Sequence, residues 1–413
     1  MKITNLSLAA IAVVGMMSVA SADVDVKVGG QGVLYYQTMD SFGSGDLFDA
    51  GKYDTGKVDK DGNKIFKANS RANAGLQLNV NADLGNDFGF GYQETFLGSL
   101  GLEKNLVGNT MQTAEKDTLN SHAMTKLYIT KKIANTTLKL GKQELPKSLS
   151  PLAFSEGWNV FKNTFDAAVA INSDIPDTTL VGAYVAKSNG TGGNAVGLIN
   201  LGQYNDMAGG ALPSGAYLLT IANKSLKQLP ITLSYYSLPD LTGGEAGSAI
   251  WGDVQVDAGI PVKFGLQGGT IMPENNLDDT TAMGAKITGK AGPVNLTVAY
   301  STVDDGSLAF KNVGTNVKTP LYTQMILNQN YISSDADTVL VKGVVPVGPG
   351  KLIAQYGATT DNSNASTDYN ELDVIYKFKA LGTQMLAAYV MADLDTPNTD
   401  PNNIIRFWTR YNF

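Results

Sequence analysis

Ile404-Ile405-Arg406-Phe407-Trp408-Thr409-Arg410-Tyr411-Asn412-Phe413 ends the chain, and its alternation decides the fold. Side chains of a strand point alternately to opposite faces. One face therefore carries Ile405, Phe407, Thr409, Tyr411 and Phe413, and the other carries Arg406, Trp408, Arg410 and Asn412. A transmembrane β-barrel strand needs this arrangement, with apolar side chains toward lipid, polar ones toward a wet interior and aromatic ones at the interface. The stretch predicts the closing strand of such a barrel.

The amino-terminal residues indicate export. Lys2 starts a short positive region, residues 6–19 are apolar or small, and Ala20-Ser21-Ala22 fits an A-x-A cleavage site. The apolar region is too short for a spanning helix. We predict a signal peptide at residues 1–22 and a single barrel domain at residues 23–413.

The composition excludes several classes of protein. With no cysteine, the chain has no disulfide, zinc–thiolate site, iron–sulfur cluster or covalently attached haem. A net charge of −7 without a basic tract argues against a nucleic-acid partner. Mean hydropathy is −0.07, and residues 23–413 contain no apolar run of helix-spanning length. A membrane protein with these values must be a barrel, because half of each strand faces water.

Alternating segments recur along the chain. The predicted strands are 24–36, 70–83, 88–92, 123–133, 136–143, 164–172, 178–187, 215–223, 230–237, 248–258, 262–272, 280–289, 294–303, 336–345, 351–359, 369–378, 383–392 and 404–413. Short turns such as 84–87 and 134–135 alternate with long loops such as 40–69 and 304–335. The sequence thus predicts an all-β, antiparallel transmembrane barrel of about 18 strands, with long external loops and short periplasmic turns.

The two faces of these strands separate charge from apolar residues. Asp253 and Asp257 alternate with apolar residues in one strand, and Glu371 and Asp373 do so in another. A charge facing lipid near the bilayer midplane costs about 2–4 kcal/mol, so we assign these carboxylates to the interior. The strands 336–345 and 383–392 are apolar on both faces, which suggests contact with other protein.

One stretch carries a family resemblance. Lys139-Leu140-Gly141-Lys142-Gln143, followed by Glu144-Leu145-Pro146-Lys147 and Pro151-Leu152, resembles the "Gly-basic-Gln" strand end before the third loop of specific porins and of epsilonproteobacterial major outer-membrane porins. With the signal peptide, the strand rhythm and terminal Phe413, the whole chain resembles that superfamily. The resemblance implies a barrel of eighteen strands in the bacterial outer membrane, often trimeric, with the third loop folded inward to narrow a pore.

The resemblance also implies positions for the pore. In the family a ladder of basic residues lines one wall, and the residues that could form it here are Arg71, Lys126, Lys139, Arg406 and Arg410. We expect Asp253, Asp257, Glu371 and Asp373 to form a negative counterpart, and Glu144, Lys147 and Glu156 to lie on the constriction loop. Simple alternation would turn Lys142 toward lipid unless its strand bends or ends there.

No enzymatic constellation accompanies these residues. His122, the only histidine, follows a long loop without an activating partner in the sequence, so a solvated loop residue is the expectation. No cofactor is expected, although calcium remains open because paired acidic residues such as Asp278 and Asp279 offer oxygen ligands.

Three functions fit these features. The first is a porin for passive diffusion of ions and small hydrophilic solutes. The second is a substrate-specific channel or a barrel that surrounds another protein, and the third is an adhesin or scaffold of a surface complex.

Overall fold

A computed structural model describes residues 24–40, 46–49, 52–58, 64–102, 107, 111–112, 121–157, 159–190, 204–241, 244–274, 276–363, 367–396 and 399–413. The predicted signal peptide, 1–22, lies outside these residues. Among them, no helix is long and apolar enough to cross a membrane.

The described chain is built from strands. They are β1 (Asp25–Met39), β2 (Lys52–Val58), β3 (Lys64–Ala68), β4 (Ser70–Gly85), β5 (Phe88–Gly98), β6 (Ser121–Ile133), β7 (Thr136–Gln143), β8 (Phe165–Asn172), β9 (Thr178–Ser188), β10 (Asn205–Asp206), β11 (Ala216–Asn223), β12 (Ile231–Leu241), β13 (Glu245–Asp257), β14 (Val262–Pro273), β15 (Thr280–Ala291), β16 (Val294–Val303), β17 (Ala336–Val347), β18 (Gly350–Asp361), β19 (Tyr369–Ala380), β20 (Thr383–Leu394) and β21 (Asn402–Asn412). Two 3-10 turns, Ala208–Gly210 and Asn328–Asn330, lie in loops.

Eighteen of these strands form a closed antiparallel barrel. Each pairs with its neighbour in the chain, β9 pairs with β11, and β1 pairs with both β4 and β21. Closure satisfies the backbone groups that an open edge would expose. The short strand β10 pairs antiparallel with the end of β9, and β2 and β3 form a separate hairpin within the loop after β1. All eighteen predicted barrel strands are confirmed, including the pairing of the last strand with the first.

The connections differ between the two ends of the barrel. Tight turns such as Asn86–Asp87 lie at one end, which we call the short-turn rim, and the extended connections lie at the other, the long-loop rim. Asn86 and Asp87 both have positive φ, as expected of a two-residue hairpin turn. Counted along the chain, residues 144–164 are the third loop of the long-loop rim and residues 304–335 are the seventh.

Burial confirms the assignment of faces. Leu266 and Tyr411 point outward and are 55% and 52% exposed, whereas Arg406 points inward and is 5% exposed. The inward face encloses a lumen that the third and seventh loops enter. The packing inside the lumen therefore determines what the barrel can do.

Candidate functional site

The third loop crosses the lumen. Its Leu152 N–H donates to the Tyr236 hydroxyl on β12 at 3.0 Å, and its Asn159 carbonyl accepts from Arg410 Nη2 on β21 at 3.1 Å. Strands β12 and β21 lie on opposite sides of the eighteen-strand ring. The expected inward folding of this loop is therefore present.

Phe161 fixes the far end of the third loop. Its ring packs with Val33 and Leu97 on the inner wall. Its backbone exchanges two hydrogen bonds with the Gln112 side chain, at 2.7 and 2.9 Å. A Cβ at Gly75 would lie 2.5 Å from the ring, so a glycine is required at that position.

Glu156 joins the third loop to the seventh. Its Oε1 accepts from Asn312 Nδ2 at 2.7 Å, from the Lys318 N–H at 3.1 Å and from the Thr315 hydroxyl. Lys147 Nζ adds a bond to the Thr319 carbonyl at 3.1 Å. Glu156 is 8% exposed, and the three hydrogen-bond donors offset the cost of burying its carboxylate. The two loops thus form one hydrogen-bonded unit.

The seventh loop is in turn attached to the barrel wall. The Tyr322 hydroxyl donates to Asp253 Oδ2 at 2.5 Å, and the Leu327 N–H donates to Glu371 Oε1 at 2.9 Å. Its Met325 and Ile326 pack on inward apolar residues of β17 to β20, such as Leu386. The strands that are apolar on both faces therefore contact this loop.

An apolar core fills one side of the lumen. Phe165, Tyr236 and Trp251 project from β8, β12 and β13, and they pack with Leu152 of the third loop and Phe310 of the seventh. The Trp251 and Phe310 rings are 5.3 Å apart. Water is excluded from this packed region, so a polar path must pass beside it.

The predicted arginines lie on adjoining strands. In the strand register Gln37 of β1 stands between Arg71 of β4 and Arg406 of β21. The Gln37 side-chain oxygen accepts from Arg406 Nε at 3.0 Å, and Gln31 Oε1 accepts from Arg410 Nη1 at 2.9 Å. The structure thus brings these three arginines together on one wall.

Lys126 and Lys139 continue this series around the barrel. Lys126 Nζ lies 2.5 Å from Glu144 of the third loop, and Lys162 lies 3.1 Å from the same carboxylate. Burial raises the pKa of Glu144, but the two lysines outweigh it and hold the pKa below its ordinary value. Lys139 Nζ sits 3.8 Å from the centre of the Tyr128 ring.

A second group of cations, of which only Lys377 was assigned to the interior from the sequence, lies outside the predicted basic ladder. Lys286, Lys342, Lys351 and Lys377 occupy inward positions on β15, β17, β18 and β19, and Lys351 is directly opposite Lys377. Lys286 Nζ lies 3.9 Å from the centre of the Tyr322 ring. Alternation with outward residues such as Val341 and Tyr376 was the signal that could have found them.

The predicted negative wall differs from the expectation. Glu371 and Asp373 are 1% and 0% exposed, because the seventh loop covers them. Asp257 makes an exposed ion pair with Lys263, at 2.9 Å, near the short-turn rim. Of the four predicted carboxylates only Asp253 stands partly exposed in mid-lumen, and Tyr322 and Gln255 donate to it. Acidic groups therefore do not oppose the arginines as a continuous wall.

Lys142 faces outward, as simple alternation required. It pairs with Asp166 at 2.8 Å, and its Nζ lies 3.4 Å from the centre of the Tyr204 ring. The preceding Gly141 has a φ of 121°, and a Cβ there would lie 2.2 Å from a backbone oxygen. The glycine of the "Gly-basic-Gln" motif thus permits an irregular strand end.

His122 is a strand residue at the start of β6, not the loop residue expected from the sequence. Its Nδ1 lies 2.9 Å from Glu94, and both side chains belong to the outward face. Across the described part of the chain, no group of three or more acidic or histidine side chains is placed to hold a metal ion.

Comparisons with known proteins identify solved structures with the same fold. No protein-family model and no curated protein matches the sequence. Among solved structures, OccK8 (OprE) of Pseudomonas aeruginosa has a TM-score of 0.71 at 14% identity, over 94% of this chain and 98% of that one. The BenF-like porin of Pseudomonas fluorescens Pf-5 gives 0.68 at 12% over 95% and 98%, and OpdK of Pseudomonas aeruginosa, crystallised with vanillate, gives 0.71 at 11% over 94% and 98%. The chain has the fold of these outer-membrane porins.

Proposed function

We propose that the protein is an outer-membrane porin that forms a water-filled channel for passive diffusion of small hydrophilic solutes, with a preference for anions. The observation that carries this proposal is the distribution of inward charge. Lysines and arginines stand on β15 to β19 and on β21, β1 and β4, whereas most of the predicted carboxylates are covered or lie at the rim. Residues 1–22 would direct its export.

The physical basis is electrostatic. A narrow passage with low-dielectric walls concentrates the field of the charges that line it, so one sign of ion is enriched. The net charge of −7 does not oppose this, because a field is set locally by the groups that face the passage. Arg71, Arg410, Lys126, Lys139 and the four lysines of β15 to β19 are the residues that we assign to it.

The third and seventh loops set the width of the passage in this proposal. The Lys147 ammonium donates to the neutral Thr319 carbonyl at 3.1 Å, while Glu144 and Glu156 are held in ion pairs and hydrogen bonds. Lys147 would thus contribute charge at the constriction, and Glu156 would hold the constriction in place. A particular similarity to epsilonproteobacterial major outer-membrane porins and a trimeric assembly are further proposals, and both rest on the sequence.

A substrate-specific channel is the second candidate. The apolar core fills one side of the lumen, which reduces the space open to solutes. OpdK was crystallised with vanillate, an aromatic carboxylate. Lys286 stacked on Tyr322 offers a cation beside an aromatic ring, a combination suited to such a solute.

Current recordings in planar bilayers separate these functions. Discrete conductance steps from the purified barrel are expected for either channel, and their absence would contradict both. A current that saturates as the concentration of benzoate or vanillate rises would favour the specific channel, provided that the current of Lys286→Gln increases linearly with that concentration. A linear current in the original protein would favour the general porin. Lys131→Gln, an outward residue at the short-turn rim, is the matched control.

A further inference from the structure

Two cross-strand pairs of charged residues occupy matching inward positions near the short-turn rim. On β13 and β14, Asp257 stands directly opposite Lys263, and Lys263 Nζ lies 2.9 Å from the carboxylate. On β18 and β19, Lys351 stands directly opposite Lys377. Side chains directly opposite on neighbouring strands have their Cβ atoms about 4.5–5.5 Å apart, and like charges there are destabilising. The second pair therefore carries an electrostatic cost that the first does not.

Lys342 on β17 adds a third ammonium to the opposed lysines. Both Lys342 and Lys351 exert an electrostatic repulsion on Lys377. Ile353 and Ile375 lie in the inward row between Lys342 and the opposed pair, and they are 7% and 8% exposed. An apolar surface lowers the local dielectric constant, which strengthens the repulsion. We call Lys342, Lys351 and Lys377 the lysine cluster.

The surrounding wall does not neutralise the lysine cluster. Among the described residues, no carboxylate makes an ion pair with any of its three lysines. Asp373, on the same face of β19, attracts Lys342, but it is 0% exposed beneath the seventh loop and accepts from Gln355 Nε2 at 2.5 Å. Lys379, the next inward residue of β19 toward the rim, adds another cation. This part of the lumen thus lacks an anion that would offset its charge.

We propose that the lysine cluster binds a doubly charged phosphate group, either free phosphate or the phosphate of a small phosphomonoester. The inference rests on the proposed channel function and names a class of anion that the channel holds near its short-turn rim. A phosphate group carries about 1.5–2 negative charges at pH 7 and three strong acceptor oxygens. One such group neutralises both opposed lysines at once, whereas a carboxylate group carries a single charge. Lysine ammoniums bind phosphate as point charges with three rotatable donors.

Block of the chloride current in planar bilayers tests the site, with inorganic phosphate, methyl phosphate and succinate as probes. All three are largely divalent at about pH 7.5, but succinate divides its charge between two separate carboxylates. We expect the two phosphates to reduce the current saturably and at lower concentration than succinate. The phosphate with the lower half-blocking concentration identifies the source as free phosphate or a phosphomonoester. Titration calorimetry on the purified barrel in detergent measures the binding directly, whether or not the barrel conducts.

A matched pair of double variants locates the site. Lys351→Gln with Lys377→Gln should raise the half-blocking phosphate concentration about tenfold or more, since one lost hydrogen bond between charged groups weakens binding by roughly that factor. Lys132→Gln with Lys290→Gln removes the same charge from inward lysines of the short-turn rim that stand apart, on β6 and β15. This control should keep the original half-blocking concentration.

The outcomes separate this inference from the proposed function. Chloride preference without phosphate binding would overturn the site and leave the proposed function intact. Phosphate binding that depends on Lys351 and Lys377, in a channel without chloride preference, would support the site and contradict the wider anion preference. Succinate that blocks as strongly as the phosphates, or an equal loss of phosphate binding in the two double variants, would also overturn the site.

Discussion

The inner walls of β8 to β13 and of β15 to β19 have the same backbone and different chemistry, because the first is largely apolar around a packed core and the second combines lysines with apolar residues that pack on the seventh loop. The first presents Phe165, Tyr236 and Trp251 and is sealed by the third and seventh loops. The second presents Lys286, Lys342 and Lys377 below the seventh loop. An apolar side chain that points into a barrel requires cover from a loop, whereas a lysine there requires water. The inward residues of a strand therefore report whether the lumen beside it is filled or open.

Removing Trp251 should have the largest effect on this contrast. Its ring lies in the apolar core against Phe310, and truncation of a buried tryptophan to alanine costs about 3–5 kcal/mol. We expect Trp251→Ala to unfold at lower urea concentration in detergent, followed as loss of the compact form on unheated gels. Leu266→Ala, on the outer surface, is the control and should change the midpoint much less. Equal midpoints for the two variants would show that the sealed side is not packed as described.

Gly75→Val should displace the third loop from the charged side. The new side chain would overlap the Phe161 ring, and overpacking of this kind costs about 1–3 kcal/mol. We expect the loop to leave the wall and single-channel conductance to rise. Gly32→Val, one strand away and outward into open space, should conduct as the original protein does. A conductance that is unchanged in Gly75→Val would place the ion path away from Phe161.

Glu156→Gln weakens the connection between the two loops. A hydrogen bond to a charged group contributes about 1.5–3 kcal/mol, and the carboxylate accepts three such bonds at Oε1. The uncharged amide should leave the loops less firmly joined, so we expect noisier open-channel current with an intact barrel. Glu245→Gln, exposed at the long-loop rim, is the control. Quiet current from Glu156→Gln would mean that other contacts hold the loops.

A smaller effect should follow pH. Burial lowers the pKa of Lys147 to about 8, with Lys286 lowering it further and Glu156 and Asp253 acting in the opposite sense. Lys147 is a cation below that pH and neutral above it, so anion preference should fall as pH rises from 7 to 9. The difference in reversal potential between the original protein and Lys147→Gln isolates this step, because other groups titrate in both. A constant difference across this range would contradict the assignment.

The sequence predicted the barrel well because strand alternation and connection length are local signals. The arginines of β4 and β21 were also predictable, because their strands are neighbours once the barrel closes. The burial of Glu371 and Asp373 was not predictable, because it depends on the conformation of the seventh loop. In the Leu327–Glu371 hydrogen bond the two partners are 44 residues apart in the chain. Loop conformation is set by long-range packing, such as Phe310 on Trp251, that no local pattern encodes.

The reversal potential in a KCl gradient at low ionic strength tests the central claim most directly, because screening is weakest there. We predict that the current through the original protein reverses at a potential close to the chloride equilibrium potential. Replacing Lys286, Lys342, Lys351 and Lys377 together by Gln should shift the reversal potential toward the potassium equilibrium potential. Lys131→Gln should leave the reversal potential unchanged. Potassium preference in the original protein would contradict the account. So would a reversal potential that is the same with and without the four lysines.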